Sequence, residues 1–322
     1  MSKRTPFKEL EKELEAIGPV LRDEPMSRHT TFGVGGPADL YLKIGDRPGL
    51  RSATLAAVQY EVPYCILGSG SNVLVGDRGI RGLVIENDAR TVDGPDELAG
   101  GRARLRCDSG MNFSSLARRT CRLGYWGLEW AVGIPGSLGG AVVYNAGAYG
   151  GSLADALSSV EVSDHRGNVQ TFPASELSLE YRGSVFTRGL FADCVILSVE
   201  LRLRQGSAVQ IMQRVRDLDS KRKKAQPPGR NAGSIFKNPP ERPAWWYIDR
   251  VGLRGTRIGD AEVSAKHANF FMNAGRARAG AVKALMDEAI RRVSDRFGIE
   301  LHPEVALIGE GFCTTGATGM AS

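Results

Sequence analysis

Apolar positions along the chain switch between a helical period and an alternating one, and the switches mark its elements. Phe7, Leu10, Leu14 and Ile17 recur at helical spacing and predict a short helix closed by Gly18 and Pro19. Alternation over 38–44 predicts a strand, Pro48 opens a helix to about Tyr60, and the apolar run 62–67 reads as a buried strand. Residues 73–75 and 83–85 add short strands, and this first unit ends near Asp88. Beyond an acidic, glycine-containing stretch, 102–107 alternate, and Asn112 is the expected cap of a helix to Arg122 with Leu116, Ala117 and Thr120 inward. Residues 158–164 and 168–172 predict a hairpin around Gly167, and 194–203 a long strand. Val209, Met212, Val215 and Leu218 line a helix that leads into a third segment, where the pair Ile235 and Phe236 reads as buried inside a polar loop. In that segment 268–273 read as a strand, and Val282, Leu285, Met286, Ala289, Ile290, Val293 and Phe297 form a helical stripe ended by Gly298. Residues 302–309 start a last strand with Glu304 at its head, and the small, polar tail 311–322 reads as disordered. Helices interleaved with strands give an α/β (α+β) chain, divided at 1–89, 90–215 and 216–310.

Two glycine-rich stretches break this pattern. In GIPGSLGGAVVYNAGAYGG (133–151) seven of nineteen residues are glycine, yet Ile134, Leu138, Val142 and Val143 keep it apolar, unlike a flexible linker. Such a stretch suits backbone laid against a large, flat, partly anionic ligand, or a buried turn packed tightly on another strand. The loop 68–72 (GSGSN) follows an apolar run and suits either an anion-binding nest of N–H groups or a tight turn between strands. It is not the dinucleotide fingerprint, because Val73 stands where the last glycine belongs and no helix is predicted after it. The chain contains no GxxxxGK[ST] phosphate loop.

Composition narrows the classes further. Hydrophobic residues at 42% and charged residues at 24% are ordinary for a soluble protein. No run is long and apolar enough to span a membrane, and the N-terminus lacks the apolar core of a signal peptide. Five scattered cysteines form neither a disulfide framework nor a metal pattern, which suits a reducing cytoplasm. Four separated histidines argue against a metal site, and no GxSxG elbow is present. The net charge of +6 is dispersed among acids. Its one dense run, 221–224, reads as a solvated cluster at a helix end rather than a nucleic-acid patch. An excess of this size equally suits a small, highly anionic substrate. What remains are single polar residues in glycine- or proline-marked loops. Arg182 sits between aromatics in YRGSVF, Ser234 and Lys237 in GSIFKNP, His267 beside Lys266, and Glu304 after Pro303. Each alone suits a turn hydroxyl, a surface ion pair or an edge carboxylate as well as a site.

Taken together, these segments carry a family pattern. The runs TTFGVGGPAD (30–39), LGSGSNVLV (67–75), GLEWAVGIPGSLGG (127–140), NAGAYG (145–150), YRGSVF (181–186), AGSIFKNP (232–239) and VSAKHANF (263–270) occur in order and at plausible spacing. In these the chain resembles the UDP-N-acetylenolpyruvoylglucosamine reductase family over about 28–309. The short connection after 181–186 looks like the family's second type.

The resemblance implies a two-segment FAD-binding module of the vanillyl-alcohol-oxidase type (1–89 and 90–215) with a C-terminal α+β substrate domain (216–310). FAD would be bound noncovalently by Leu67, Gly68, Ser69, Gly70, Ser71 and Asn72, and by Gly133, Ile134, Pro135, Ser137, Gly139, Gly140, Ala141, Asn145 and Gly147. NADPH would be co-substrate, visiting in turn the pocket of a UDP-sugar enolpyruvyl ether. No nucleic acid, metal or second copy of the chain is implied. Arg182 and Glu304 would act on the developing enol, and Ser234 would give the completing proton. Tyr149, Lys237, Asn238 and His267 match substrate-contact positions. The family often has an arginine where Ala306 stands, and 245–247 (WWY) are bulkier than usual. The alternative is another flavin oxidase or dehydrogenase of this fold. It would not need the GSIFKNP segment together with Pro303 and Glu304.

Overall fold

The computed structural model describes residues 4–191 and 193–312. Of the expected tail, 313–322 lie outside the described residues. In the first unit, helices α1 (Arg4–Leu14) and α2 (Arg47–Gln59) accompany a sheet ordered Val20–Pro25, Pro37–Ile44, Ile80–Asn87, Tyr64–Leu67. The last three strands run parallel and the first antiparallel. Asp46 caps α2 by accepting from Gly49 N at 2.7 Å, with Pro48 in the first turn. Leu10, Leu14, Leu42, Leu50 and Ile85 form the heart of the core. The apolar run expected as a buried strand from residue 62 pairs only from Tyr64 and is mostly half-buried. It is apolar because Cys65, Ile66 and Leu67 wall a cavity.

The second unit is an antiparallel sheet ordered Val169–Pro173, Leu157–Ser163, Val195–Gln205, Arg102–Asp108, Val92–Leu98. The hairpin and the long strand stand where the pattern put them. Helix α3 (Phe113–Arg122) is capped by Asn112, whose Oδ1 accepts from Ser115 N at 2.9 Å. The glycine-rich stretch contains a short helix, α4 (Leu138–Val143), that its composition hid. Val195 and Leu197 also enter the first unit's core, and Arg47 on α2 pairs with the buried Asp108 at 2.9 Å. The long strand therefore joins the two units.

Helix α5 (Ala208–Ala225) packs Ile211, Val215 and Leu218 into the second core. Val209, expected on that face, is instead 77% exposed, because the apolar stripe begins at Ile211. Ile235 and Phe236 are fully buried with α6 (Ala244–Arg250) and α7 (Ala279–Phe297) around a small sheet. Gly298 ends α7 at φ 65°, the left-handed conformation that glycine adopts without penalty. The strand expected over 268–273 forms only at Phe271–Asn273. Ahead of it a turn places Phe270 N on the carbonyl of His267 at 2.9 Å. The last strand is likewise short, Ala306–Ile308, and pairs in parallel with Val73–Val75 of the first unit.

Candidate active site

The three units meet around a cavity of about 510 Å³. Its walls are the loop after Tyr64–Leu67, the second glycine stretch, Arg182, Phe270, and the turns carrying Ser234 and Glu304. The glycines serve protein packing first. A Cβ on Gly68 would stand 2.2 Å from Ser137 Oγ, and one on Gly70 (φ 58°) 1.9 Å from the carbonyl oxygen of His29. The first loop is thus pressed between the second and residues 29–31, and Thr31 N donates to Gly70 O at 2.9 Å. Behind it, His29 lies between the carboxylates of Glu86 (2.9 Å) and Glu24 (3.0 Å). This compression turns the loop's backbone toward the cavity. Among the described residues, no acceptor engages the N–H groups of 69–71. Both readings of these stretches therefore hold: glycine permits the close packing, and the packing leaves donors on the cavity wall.

Leu67, Gly68, Ser69, Gly70, Ser71, Asn72, Ile134, Pro135, Ser137, Gly139, Gly140, Ala141 and Gly147 all line the cavity. Two expected cofactor contacts do not. Asn145 is buried, with its amide donating to Glu180 O (2.9 Å) and accepting from Ala154 N (3.0 Å), so it fixes the turn before Arg182. Gly133 (φ 85°) instead makes room for Arg222, whose Cδ lies 3.2 Å from where a Cβ would stand.

Arg222 is the residue that the sequence reading missed. Its run of basic residues does end α5, but this side chain turns into the cavity wall. Its Nε and Nη2 are buried without a hydrogen-bond partner, and its guanidinium lies 5.4 Å from the Tyr149 ring. Burial pushes its pKa below the usual arginine value. A buried guanidinium without an acceptor calls for an anionic or carbonyl-rich ligand. The helical spacing was the available signal, since Arg222 follows Val215 and Leu218 on the inward face of α5.

The expected catalytic residues converge at one end of the cavity. Arg182, held at φ 54°, donates from Nε to Glu304 Oε1 at 2.5 Å and from Nη2 to Gly147 O at 2.7 Å. Its guanidinium lies 5.2 Å from the Tyr181 ring. The expected placement between two aromatics is therefore replaced by an ion pair and one ring. Burial pushes the Glu304 carboxyl above the usual range, and the opposing pull of Arg182 is smaller. The backbone of Glu304 is tied down at both ends: its N donates to Ile235 O at 2.8 Å, and its carbonyl accepts from Asn72 Nδ2 at 3.1 Å. The loop that presents free N–H groups thus also sets the height of the carboxylate. Ser234 bridges to Phe270 through the backbone, and among the described residues no hydrogen bond engages its hydroxyl. It is free to act on a ligand.

Lys237, Asn238, Tyr149 and His267 stand outside this cavity. Lys237 Nζ donates to Arg182 O at 3.2 Å, Asn238 N to the Tyr181 hydroxyl at 3.3 Å, and Tyr149 is 41% exposed beside Arg222. Ala306 lines the cavity with no charge to offer. Among the described residues no group of His, Cys, Asp or Glu side chains could hold a metal ion.

Two family models match the chain: the C-terminal domain of UDP-N-acetylenolpyruvoylglucosamine reductase over residues 223–308, and an FAD binding domain over 38–173. A UDP-N-acetylenolpyruvoylglucosamine reductase of Gloeobacter violaceus is 41% identical over 285 residues, covering 88% of this chain and 94% of that one. One from Desulforamulus reducens is 40% identical over 92% of this chain and 97% of its own. The crystal structure of the reductase from Thermus caldophilus superposes with a TM-score of 0.74 at 35% identity, over 90% of this chain and 98% of that one.

Proposed function

The chain belongs to the UDP-N-acetylenolpyruvoylglucosamine reductase family, and we propose that Arg182, Ser234 and Glu304 are the residues with which it reduces its substrate. The reaction takes hydride from NADPH by way of FAD to the enolpyruvyl group of a UDP-sugar, giving UDP-N-acetylmuramate for peptidoglycan precursor synthesis. The observation that carries the residue assignment is the convergence, at one end of a single cavity, of a buried cation, a carboxyl raised by burial and an unengaged hydroxyl. The divisions 1–89, 90–215 and 216–310 then serve as two FAD-binding parts and a substrate-binding part. No described helix is long and apolar enough to cross a membrane, and a cytoplasmic site of action suits a nucleotide substrate.

The residues present fit FAD. The open N–H groups of 69–71 suit a pyrophosphate, and the orphaned guanidinium of Arg222 suits the electron-rich edge of a flavin. The cavity-facing Cys65 thiol is pushed up to about 11 by burial and stays protonated, which suits noncovalent binding. When bound, FAD supplies the hydride chemistry that links NADPH to the enolpyruvyl group.

The protein's own part follows the charge. Hydride added at the terminal vinyl carbon leaves negative charge on the neighbouring carbon and its carboxylate. Arg182, already positioned by Gly147 O, holds a cation at that charge without reorganising. A bare carboxylate would oppose the enolate, so Glu304 assists as the neutral acid that its burial favours, donating a hydrogen bond. Ser234 Oγ–H then delivers the proton to the carbon bearing the carboxylate. Lys237, alongside on the Arg182 carbonyl, suits the substrate's phosphates.

The Glu304 assignment is tested by the pH profile of single-turnover substrate reduction. The neutral form is lost as pH rises through the elevated carboxyl pKa, so the rate is expected to fall with rising pH in that window. Glu304→Gln, which keeps a neutral donor, should lose less rate than Glu304→Ala and should flatten this limb. A limb unchanged in Glu304→Gln would remove Glu304 from the chemistry.

A further inference from the structure

Outside the reaction cavity, the first turn of α6 carries an indole with no packing role. Of the two adjacent tryptophans, Trp246 is used by the fold: its ring meets Tyr247 at 5.1 Å and Phe297 at 5.6 Å, with the Arg242 guanidinium over it at 4.9 Å. Trp245 is 37% exposed, and its aromatic neighbour is His267, ring centroids 6.2 Å apart and planes at 60°. We propose that Trp245 and His267 form the nucleobase subsite of the substrate, with the indole stacked on the uracil ring and His267 Nε2–H donating to a ring carbonyl. This rests on the reductase reading given above.

Three observations converge on that assignment. The first is position. Ala244 N donates to Asn238 Oδ1 at 3.0 Å, and Asn238 N donates to the Tyr181 hydroxyl, so a short relay of contacts joins Trp245 to the neighbour of Arg182. On the other side His267 packs edge-on against Phe270 at 4.9 Å, and Phe270 bridges to Ser234. A nucleotide sugar whose reacting group lies between Arg182 and Ser234 must hold its base beyond a diphosphate, outside the cavity. The shelf occupies such a place.

The second is the state of His267. Its Nδ1 accepts from Asn269 N at 3.3 Å, which leaves the proton on Nε2, and burial holds its pKa below the usual histidine value. The ring is therefore a neutral donor, suited to a base carbonyl; a phosphate would be served better by a cation, and Lys237 supplies one nearby. The third is the chemistry of the face. A half-exposed indole beside an imidazole offers a flat, uncharged platform of the kind on which bases stack.

The experiment measures binding and inhibition by uridine diphosphate and by inorganic pyrophosphate in wild type, Trp245→Ala, Trp245→Phe and His267→Ala. Loss of a base stack is expected to weaken uridine diphosphate about 5- to 20-fold in Trp245→Ala, leaving pyrophosphate within twofold, and Trp245→Phe should recover most of the loss. The KM for the nucleotide sugar should rise in parallel, with kcat changed less than twofold. Equal losses for both ligands would make the shelf a phosphate or structural element and overturn the proposal. So would uridine diphosphate binding that Trp245→Ala leaves intact. A wild-type protein that binds no uridine diphosphate would instead overturn the substrate reading itself.

Discussion

Replacing Ser234 by alanine should leave bleaching of the flavin by NADPH nearly intact while slowing reduction of the enolpyruvyl group about 10²–10⁴-fold, the range expected for loss of a general acid. The asymmetry follows from where protons are needed. The first half-reaction adds none to the sugar, whereas the second must protonate the carbon next to the carboxylate. The hydroxyl faces the cavity with no engagement among the described residues, so its removal should cost the fold little. Ser234→Cys should retain more activity than alanine, because a thiol still donates. Stopped-flow traces of each half-reaction on the same preparation read this directly. Equal slowing of both halves, or of neither, would return Ser234 to a turn residue.

Arg182→Ala should likewise spare the first half-reaction and slow the second by about 10²–10³-fold, since a fixed cation at developing negative charge is removed. Arg182 also donates to Gly147 O and to Glu304, and a single ammonium cannot reproduce that fork at both acceptors. Arg182→Lys is therefore expected to recover only part of the rate. Thermal unfolding controls for the pair's structural share, which partial exposure keeps modest: the side chains of Arg182 and Glu304 are 20% and 16% exposed. An Arg182→Ala protein that reduces substrate as fast as wild type would remove the cation from the mechanism.

Periodicity served well where a single face decides the element. The α7 stripe, the hairpin around Gly167 and the Asn112 cap are all where the residues put them. It failed where tertiary contacts choose. Val209 is apolar yet exposed, because α5 is aligned by Ile211. Residues 62–67 are apolar because they wall a cavity rather than fill a sheet. Helix α4 is hidden by glycines that the neighbouring Ser109 demands, a Cβ on Gly139 falling 3.1 Å from its Cβ. At the site, motif residues such as Ser234 and Glu304 were legible as singular polar positions, but their convergence depends on the third unit returning a strand to Val73–Val75. That long-range pairing leaves no local signature. Arg222 shows the same limit from the other side: a basic run reads as solvated until packing turns one member inward.

The most direct test is a single turnover. Protein carrying its flavin, reduced anaerobically with one equivalent of NADPH and freed of NADP, is mixed with UDP-N-acetylglucosamine enolpyruvate. The expected result is return of the oxidised-flavin colour with an equivalent amount of UDP-N-acetylmuramate formed; a flavin that stays bleached with the enolpyruvyl ether unchanged would contradict the account.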